Sequence, residues 1–192
     1  MPLISSAYRS PWLLSNGYVQ SILPTLTRKL ADEHLQRERI PTDDGDFLDL
    51  DWSRCGSDTL IIVSHGLEGH SRRPYVLGTL REANRRGWDG LAWNFRSCGG
   101  DMNLQPRMYH SGATDDLHRV VSYAVTQGYC RIHLVGYSMG AAISVHYLAK
   151  HPGGAKRLAL IAPAGFPDPE GALSKLSSLV SLPVIGDWAM TV

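Results

Sequence analysis

The sequence predicts an α/β domain: a mostly parallel sheet with helices packed on both faces. Short continuous apolar runs recur at 59–63, 91–93, 132–135 and 158–161, each of strand length and unbroken by polar alternation, the pattern of strands buried on both sides. Helical stretches separate these runs, and strand–helix alternation at such spacing builds parallel sheets. Gly136-Tyr137-Ser138-Met139-Gly140 follows one run and opens a helix, which fits the G-x-S-x-G turn that lifts a serine hydroxyl above a parallel sheet.

Residues 1–36 are mixed in character, and Trp12, Leu13, Leu14, Tyr18, Ile22 and Leu23 suggest a short helix or arm that packs on something else. "RERIPTDDGDFLDLDW" then alternates polar and apolar around Asp43-Asp44-Gly45, a hairpin signal joining strands at Arg37 to Ile40 and Phe47 to Trp52. After the run at 59–63, Pro74 stands where a first-turn proline belongs. Val76, Leu77, Leu80 and Ala83 form one helix face before Gly87 stops it. Thr114 is expected to cap a second helix whose first turn carries Asp115 and Asp116, favourable at the positive end of the dipole. Leu117, Val120, Val121, Ala124 and Val125 make its buried stripe. The third helix, Met139 to Ala149, is apolar nearly all round and should be the most buried. The whole reads as one domain: an arm at 1–36, a sheet core at 37–162, and the start of a lid or cap at 163–192.

With 192 residues and 43% hydrophobic content the chain can bury one good core. A net charge of +1, with both signs mixed along the sequence, argues against nucleic acid or an anionic membrane as partner. The basic cluster from Arg81 to Arg86 reads as a solvated helix face. Cys55, Cys98 and Cys130 are odd in number and widely spaced, giving neither a disulfide framework nor a zinc pattern, and read as reduced thiols of a cytoplasmic protein. No stretch reaches the ~18 apolar residues of a membrane span, and no charged leader precedes an apolar one. No cofactor or metal is expected.

The elbow pattern alone is weak, since about 0.17 chance matches are expected in a chain this rich in Gly and Ser. Its place between a buried strand and a buried helix is what gives it weight. Side chains at Gly136 and Gly140 would collide with neighbouring strand and helix in so sharp a turn. Ser138 becomes the candidate nucleophile, with helix-terminal N–H groups beside any developing oxyanion. An elbow hydrolase takes a second oxyanion donor from a loop after an earlier strand, and Ser64 to Gly69, "SHGLEG", follows the first buried run. The Leu67 and Met139 amides are the candidates. His65, at a strand end beside this loop, reads first as a structural hydrogen-bonding group rather than a base.

From about Trp12 to Lys150 the chain resembles the YheT-like branch of the α/β-hydrolase superfamily, grouped with esterases. The shared stretches are "DGDFLDLDW", "HGLEGHSRRPY", "NFRSCGGDMN", "YHSGATDDL" and "GYSMGA". The resemblance implies an eight-stranded, mostly parallel sheet, Ser138 as nucleophile, and an oxyanion hole from the Leu67 and Met139 amides. The chain departs from that pattern at Ser97, where members usually carry Gly, and at Gly140-Ala141-Ala142, where they usually read Gly-Gly-Asn. From Arg157 onward it looks more like the sixth strand and the approach to a lid in other α/β-hydrolases.

In this fold the catalytic order is Ser, then Asp or Glu, then His. After Ser138 the chain offers His146, His151, Asp168 and Asp187. His146 lies eight residues on, about 12 Å along a helix axis, too far for a hydrogen bond. With six strands in view, the sheet is expected to lack its C-terminal strands, and the triad acid and base are not identifiable. A rival reading recruits His65, His70 or His110 as base from loops over the sheet. His110 and Asp115 also match an H-x4-D acyltransferase spacing, but Asp115 is already explained as a helix-start charge.

The sequence therefore points to a serine hydrolase of carboxylic esters acting on a small-molecule or lipid ester. The alternatives are a catalytically silent α/β-hydrolase fragment or partner-binding module, and an acyltransferase. If the sheet ends at 158–161, its open edge favours self-association.

Overall fold

The computed structural model describes residues 35–161 continuously, together with Trp12, Asn16, Val19, Leu23, Thr27 and Leu30. The expected lid at 163–192 lies outside the described residues, as does most of the arm; Trp12 and Leu23, which are described, are exposed.

Strands β1 (Gln36–Pro41) and β2 (Phe47–Ser53) form the expected hairpin. There follow β3 (Thr59–Ser64), α1 (Pro74–Arg85), β4 (Asp89–Trp93), α2 (Thr114–Thr126), β5 (Arg131–Tyr137), α3 (Met139–Lys150) and β6 (Arg157–Ile161). The strands make one six-stranded sheet in the order β1-β2-β4-β3-β5-β6. β3 pairs in parallel with both β4 and β5, β5 pairs in parallel with β6, and β2 joins β4 antiparallel. Eight strands are what the resemblance implies; six lie among the described residues.

The unbroken apolar runs have the expected cause. Leu60 and Ile62 of β3 pack with Leu117, Val120 and Ile143 of α2 and α3 on one face of the sheet. Ile61 and Val63 pack with Val76, Leu80 and Ala83 of α1 on the other. Strand β2 is covered on both faces by different means: Leu48, Leu50 and Trp52 enter the first core, while the intervening Asp49 and Asp51 are buried beneath arginines.

Two details of α2 differ from expectation. Thr114 is the first helical residue and the N-cap position belongs to Ala113, with no side-chain cap. Thr114 is buried, and its hydroxyl accepts from Lys150 Nζ at 2.7 Å, so it ties α2 to α3 instead of closing the helix start. Val125, assigned to the buried stripe, is 57% exposed because the stripe ends at Ala124. Helix α3 is buried along almost its whole first two turns, as its composition demands. Arg81, Arg85 and Arg86 line the exposed side of α1, the last two beside Glu82. The three cysteines are free.

Candidate active site

Ser138 joins β5 to α3 with φ 51° and ψ −115°, a backbone conformation that costs on the order of 1–3 kcal/mol in a residue with a Cβ. The turn is held against that cost from both sides. Ser138 N–H donates to the Ile161 carbonyl of β6 at 2.9 Å, and the Ser138 carbonyl accepts from Ala141 N–H at 3.1 Å. The hydroxyl makes no capping bond to the helix that it opens. The flanking glycines are sterically required: a Cβ on Gly136 would lie 2.5 Å from Ala141 Cα, and one on Gly140 would lie 2.6 Å from the Ser64 carbonyl carbon. Gly136→Val should cost about 3 kcal/mol or more, because main chain and not a flexible side chain blocks the new atoms. Thermal unfolding of the variant checks this, and a wild-type Tm would show that the turn can relax.

The loop after β3 lies directly against this turn. Ser64 and Gly136 are register partners in the β3–β5 ladder, so the two chains leave the sheet side by side. A Cβ on Gly66 would come 3.2 Å from Ser138 Cβ and 3.8 Å from its Oγ. Gly66 to Gly69 then form a tight turn, closed by Gly69 N–H to Gly66 carbonyl at 3.0 Å, with Glu68 at φ 53°. Among the described residues neither the Leu67 nor the Met139 N–H has an acceptor within the chain.

His65 is buried, and its ring is engaged at both nitrogens. Nδ1 contacts the Gly66 carbonyl at 2.7 Å, while Nε2 is 3.1 Å from the Phe95 N–H that donates to it. This pairing fixes the neutral tautomer with the proton on Nδ1. Burial pushes its pKa down to about 4, outweighing the contact with the Gly66 carbonyl. Both ring nitrogens being committed, His65 has no lone pair to offer Ser138.

The other histidines are not joined to carboxylates among the described residues. His70 accepts the Arg72 N–H on Nδ1 at 3.2 Å, and burial followed by the nearby arginines lowers its pKa. His110 is exposed and accepts the Gly112 N–H at 3.1 Å. His146, also exposed, has a ring nitrogen 3.1 Å from the Ser111 carbonyl. His151 stacks on His118 with ring centroids 4.2 Å apart. Asp115 is exposed at the start of α2, 3.6 Å from Arg107, in keeping with a helix-start charge.

Sequence reasoning missed the buried ionic network that supports the loop after β4. Arg96 is itself buried and makes a fork to Asp116, with Nε and Nη2 at 2.9 and 2.8 Å from its two oxygens. Its Nη1 reaches Asp46 at 2.8 Å and Asp44 at 2.9 Å. Asp46 in turn accepts from the Asn103 side chain and from the Phe47, Leu104 and Gln105 amides. Burial drives the Asp46 carboxyl up, and these donors together hold it below the usual carboxylate range. Asp51 behaves alike: burial opposes ionisation, and Arg37, Ser71 and Asn94 overcome it. Ser97, where the resemblance expects glycine, has φ 63°, and its Oγ accepts from Asn103 N–H at 3.2 Å.

These groups set a pH dependence. The folded-state pKa of His65 lies below its unfolded value of about 6.5, so on acidification the unfolded chain takes up a proton that the folded chain refuses. Stability is therefore complete above about pH 6.5 and falls toward pH 4, by about 3 kcal/mol for this group. Asp46 and Asp51, with depressed folded pKa values, add a further loss below about pH 4. Urea midpoints across pH 3.5–8 should trace this decline, and a flat profile between pH 6.5 and 4.5 would contradict the burial of a neutral His65.

Comparison with known proteins agrees with this architecture. The family model described as alpha/beta hydrolase fold matches residues 59–180. YheT of Escherichia coli (strain K12), an inferred esterase, is 36% identical over 141 residues, covering 71% of this chain and 42% of YheT. Phospholipase ABHD3 of Homo sapiens is 29% identical over 160 residues, covering 78% of this chain and 39% of that protein. The chain thus spans about two fifths of the length of these curated relatives. Among solved structures, XC6422 of Xanthomonas campestris, described as an a/b serine hydrolase without lid, superposes with a TM-score of 0.60 at 25% identity, covering 74% of this chain and 68% of that one. A family match over more than half of the sequence, on a sheet of this topology, makes the chain a member of the α/β-hydrolase fold family.

Proposed function

We propose that this chain carries the nucleophile and oxyanion hole of a serine hydrolase of carboxylic esters. The observation that carries the reading is Ser138 on a strained strand-to-helix turn with the Gly66–Leu67 loop against it. Ser138 Oγ adds to the ester carbonyl carbon, and the Leu67 and Met139 N–H groups receive the oxyanion. The alcohol leaves with a proton, giving the acyl-enzyme, and water reverses the sequence to release the acid. The general base and its carboxylate partner come from residues outside those described. Relatives named as esterase, phospholipase and monoacylglycerol lipase support an ester or lipid-ester substrate.

One observation favours a second reading, a catalytically silent module. His65, on the loop that lies against the elbow, is engaged at both ring nitrogens, and no described histidine has a carboxylate within ion-pair distance. A fluorophosphonate probe decides between the two. Stoichiometric labelling mapped to Ser138 by peptide mass spectrometry is the expected result; a folded chain that stays unlabelled supports the silent module.

A further inference from the structure

The shared stretch "HGLEGHSRRPY" runs well past the oxyanion loop and ends at Tyr75, and nothing in the proposed chemistry uses that residue. Tyr75 stands in the first turn of α1, immediately after Pro74, half-buried at the edge of the site. Its hydroxyl oxygen accepts the Gly66 N–H at 3.1 Å. Its ring packs on Tyr137, the residue preceding Ser138, with centroids 4.6 Å apart and planes tilted by 50°. Tyr137 OH is 2.7 Å from Thr79 Oγ1, which also bonds the Tyr75 carbonyl at 2.9 Å, so one turn of α1 grips the elbow twice. We propose that Tyr75 is a positioning residue, a clamp from α1 that sets the Gly66–Leu67 peptide relative to Ser138 by holding the loop through its hydroxyl and the elbow through its ring.

The main chain explains why such a clamp is needed. Gly66 has no side chain with which to anchor itself, and a Cβ there would crowd Ser138 at 3.2 Å. Its peptide groups are therefore held from outside: the carbonyl by His65 Nδ1 and Gly69 N–H, the N–H by Tyr75. The Leu67 N–H belongs to the same rigid peptide plane as the Gly66 carbonyl, so orienting Gly66 orients the proposed oxyanion donor. Gly69 fits the arrangement as well, because a Cβ there would lie 2.7 Å from the Tyr75 hydroxyl, 2.9 Å from the Gly66 carbonyl oxygen and 3.0 Å from His65 Nδ1. The inference rests on the reading of Ser138 as nucleophile.

The test pairs Tyr75→Phe, which removes the hydroxyl and keeps the ring, with Gly69→Ala, whose Cβ crowds the Tyr75 hydroxyl, the Gly66 carbonyl and His65 Nδ1 together and so displaces the loop from its other side. With p-nitrophenyl acetate and a fluorophosphonate probe, both variants should lose about tenfold or more in kcat and in labelling rate with KM nearly unchanged, the signature of misplacing a group that acts in the transition state. Hydrogen exchange of the Gly66 amide, followed by NMR, should quicken in Tyr75→Phe while Tm stays close to wild type. Labelling and exchange both at wild-type values overturn the clamp, and so does faster exchange with wild-type kcat. A wild-type chain that never labels instead removes Ser138 as nucleophile, and the clamp's catalytic role with it.

Discussion

Ser138→Ala should lower fluorophosphonate labelling and ester turnover by about 10³-fold or more while leaving the fold in place. The side chain contributes an oxygen and little packing: Ser138 is only partly buried, and its hydroxyl does not cap α3. The strain at φ 51° falls on any residue with a Cβ, so alanine inherits it and Tm should move by no more than a few degrees. The separation of the two effects is the point of the experiment. Lost labelling with an intact melting curve is what a nucleophile gives, whereas full labelling in the variant would transfer the role elsewhere. A fall in stability by several kcal/mol would mean that the hydroxyl holds the turn together.

The second large effect is on stability. Arg96→Leu should destabilise the chain by about 3–5 kcal/mol, because it removes the cation that bridges the buried carboxylates of Asp46 and Asp116 and leaves both without that charge partner. For a domain of this size that corresponds to roughly 10 °C in Tm. The matched control is Asp115→Asn. That residue faces Arg107 at 3.6 Å with its side chain 74% exposed, and solvent screening leaves such a pair worth well under about 1 kcal/mol. A differential scanning measurement that finds the two variants alike would show that the Arg96 cluster is replaced by water or by rearranged partners.

What the sequence made legible was local. The buried runs, the hairpin and the apolar third helix each follow from the order of residues within a dozen positions, and so does the glycine-flanked serine. The network under the β4 loop was not legible, because "DGDFLDLDW" reads as ordinary polar alternation and its acids look solvated. A signal was nonetheless present. Once the hairpin is drawn, Arg37 falls opposite Asp51 and Arg39 opposite Asp49, and both pairs form. Asp46, Arg96 and Asp116 offered no such clue, since they come from three segments joined only by the folded sheet. Thr114 was misread for a related reason: a threonine before an acidic turn is a good cap in isolation, but here Lys150 of the packed neighbour claims its hydroxyl. Helix α2 turns Val125 outward because α3 and the sheet cover it only as far as Ala124. The closeness of Gly66 to Ser138 was likewise beyond local reasoning, as it depends on β3 and β5 being neighbours.

That neighbourliness has a consequence for how such a site can change. The pairing of Ser64 with Gly136 makes the β3–β5 ladder a ruler, and the separation of Ser138 and the Gly66–Leu67 loop is read off its rungs. A single residue inserted into either strand would shift one mark by about 3.3 Å and turn every later side chain to the opposite face. The segment between Trp93 and Thr114 leaves the sheet beside this ladder without being part of it, and it is pinned instead by Arg96 to Asp46 and Asp116 and by Phe95 N–H to His65 Nε2. Distance between serine and loop is thereby fixed by main-chain pairing, and the neighbouring segment is fixed by buried charge.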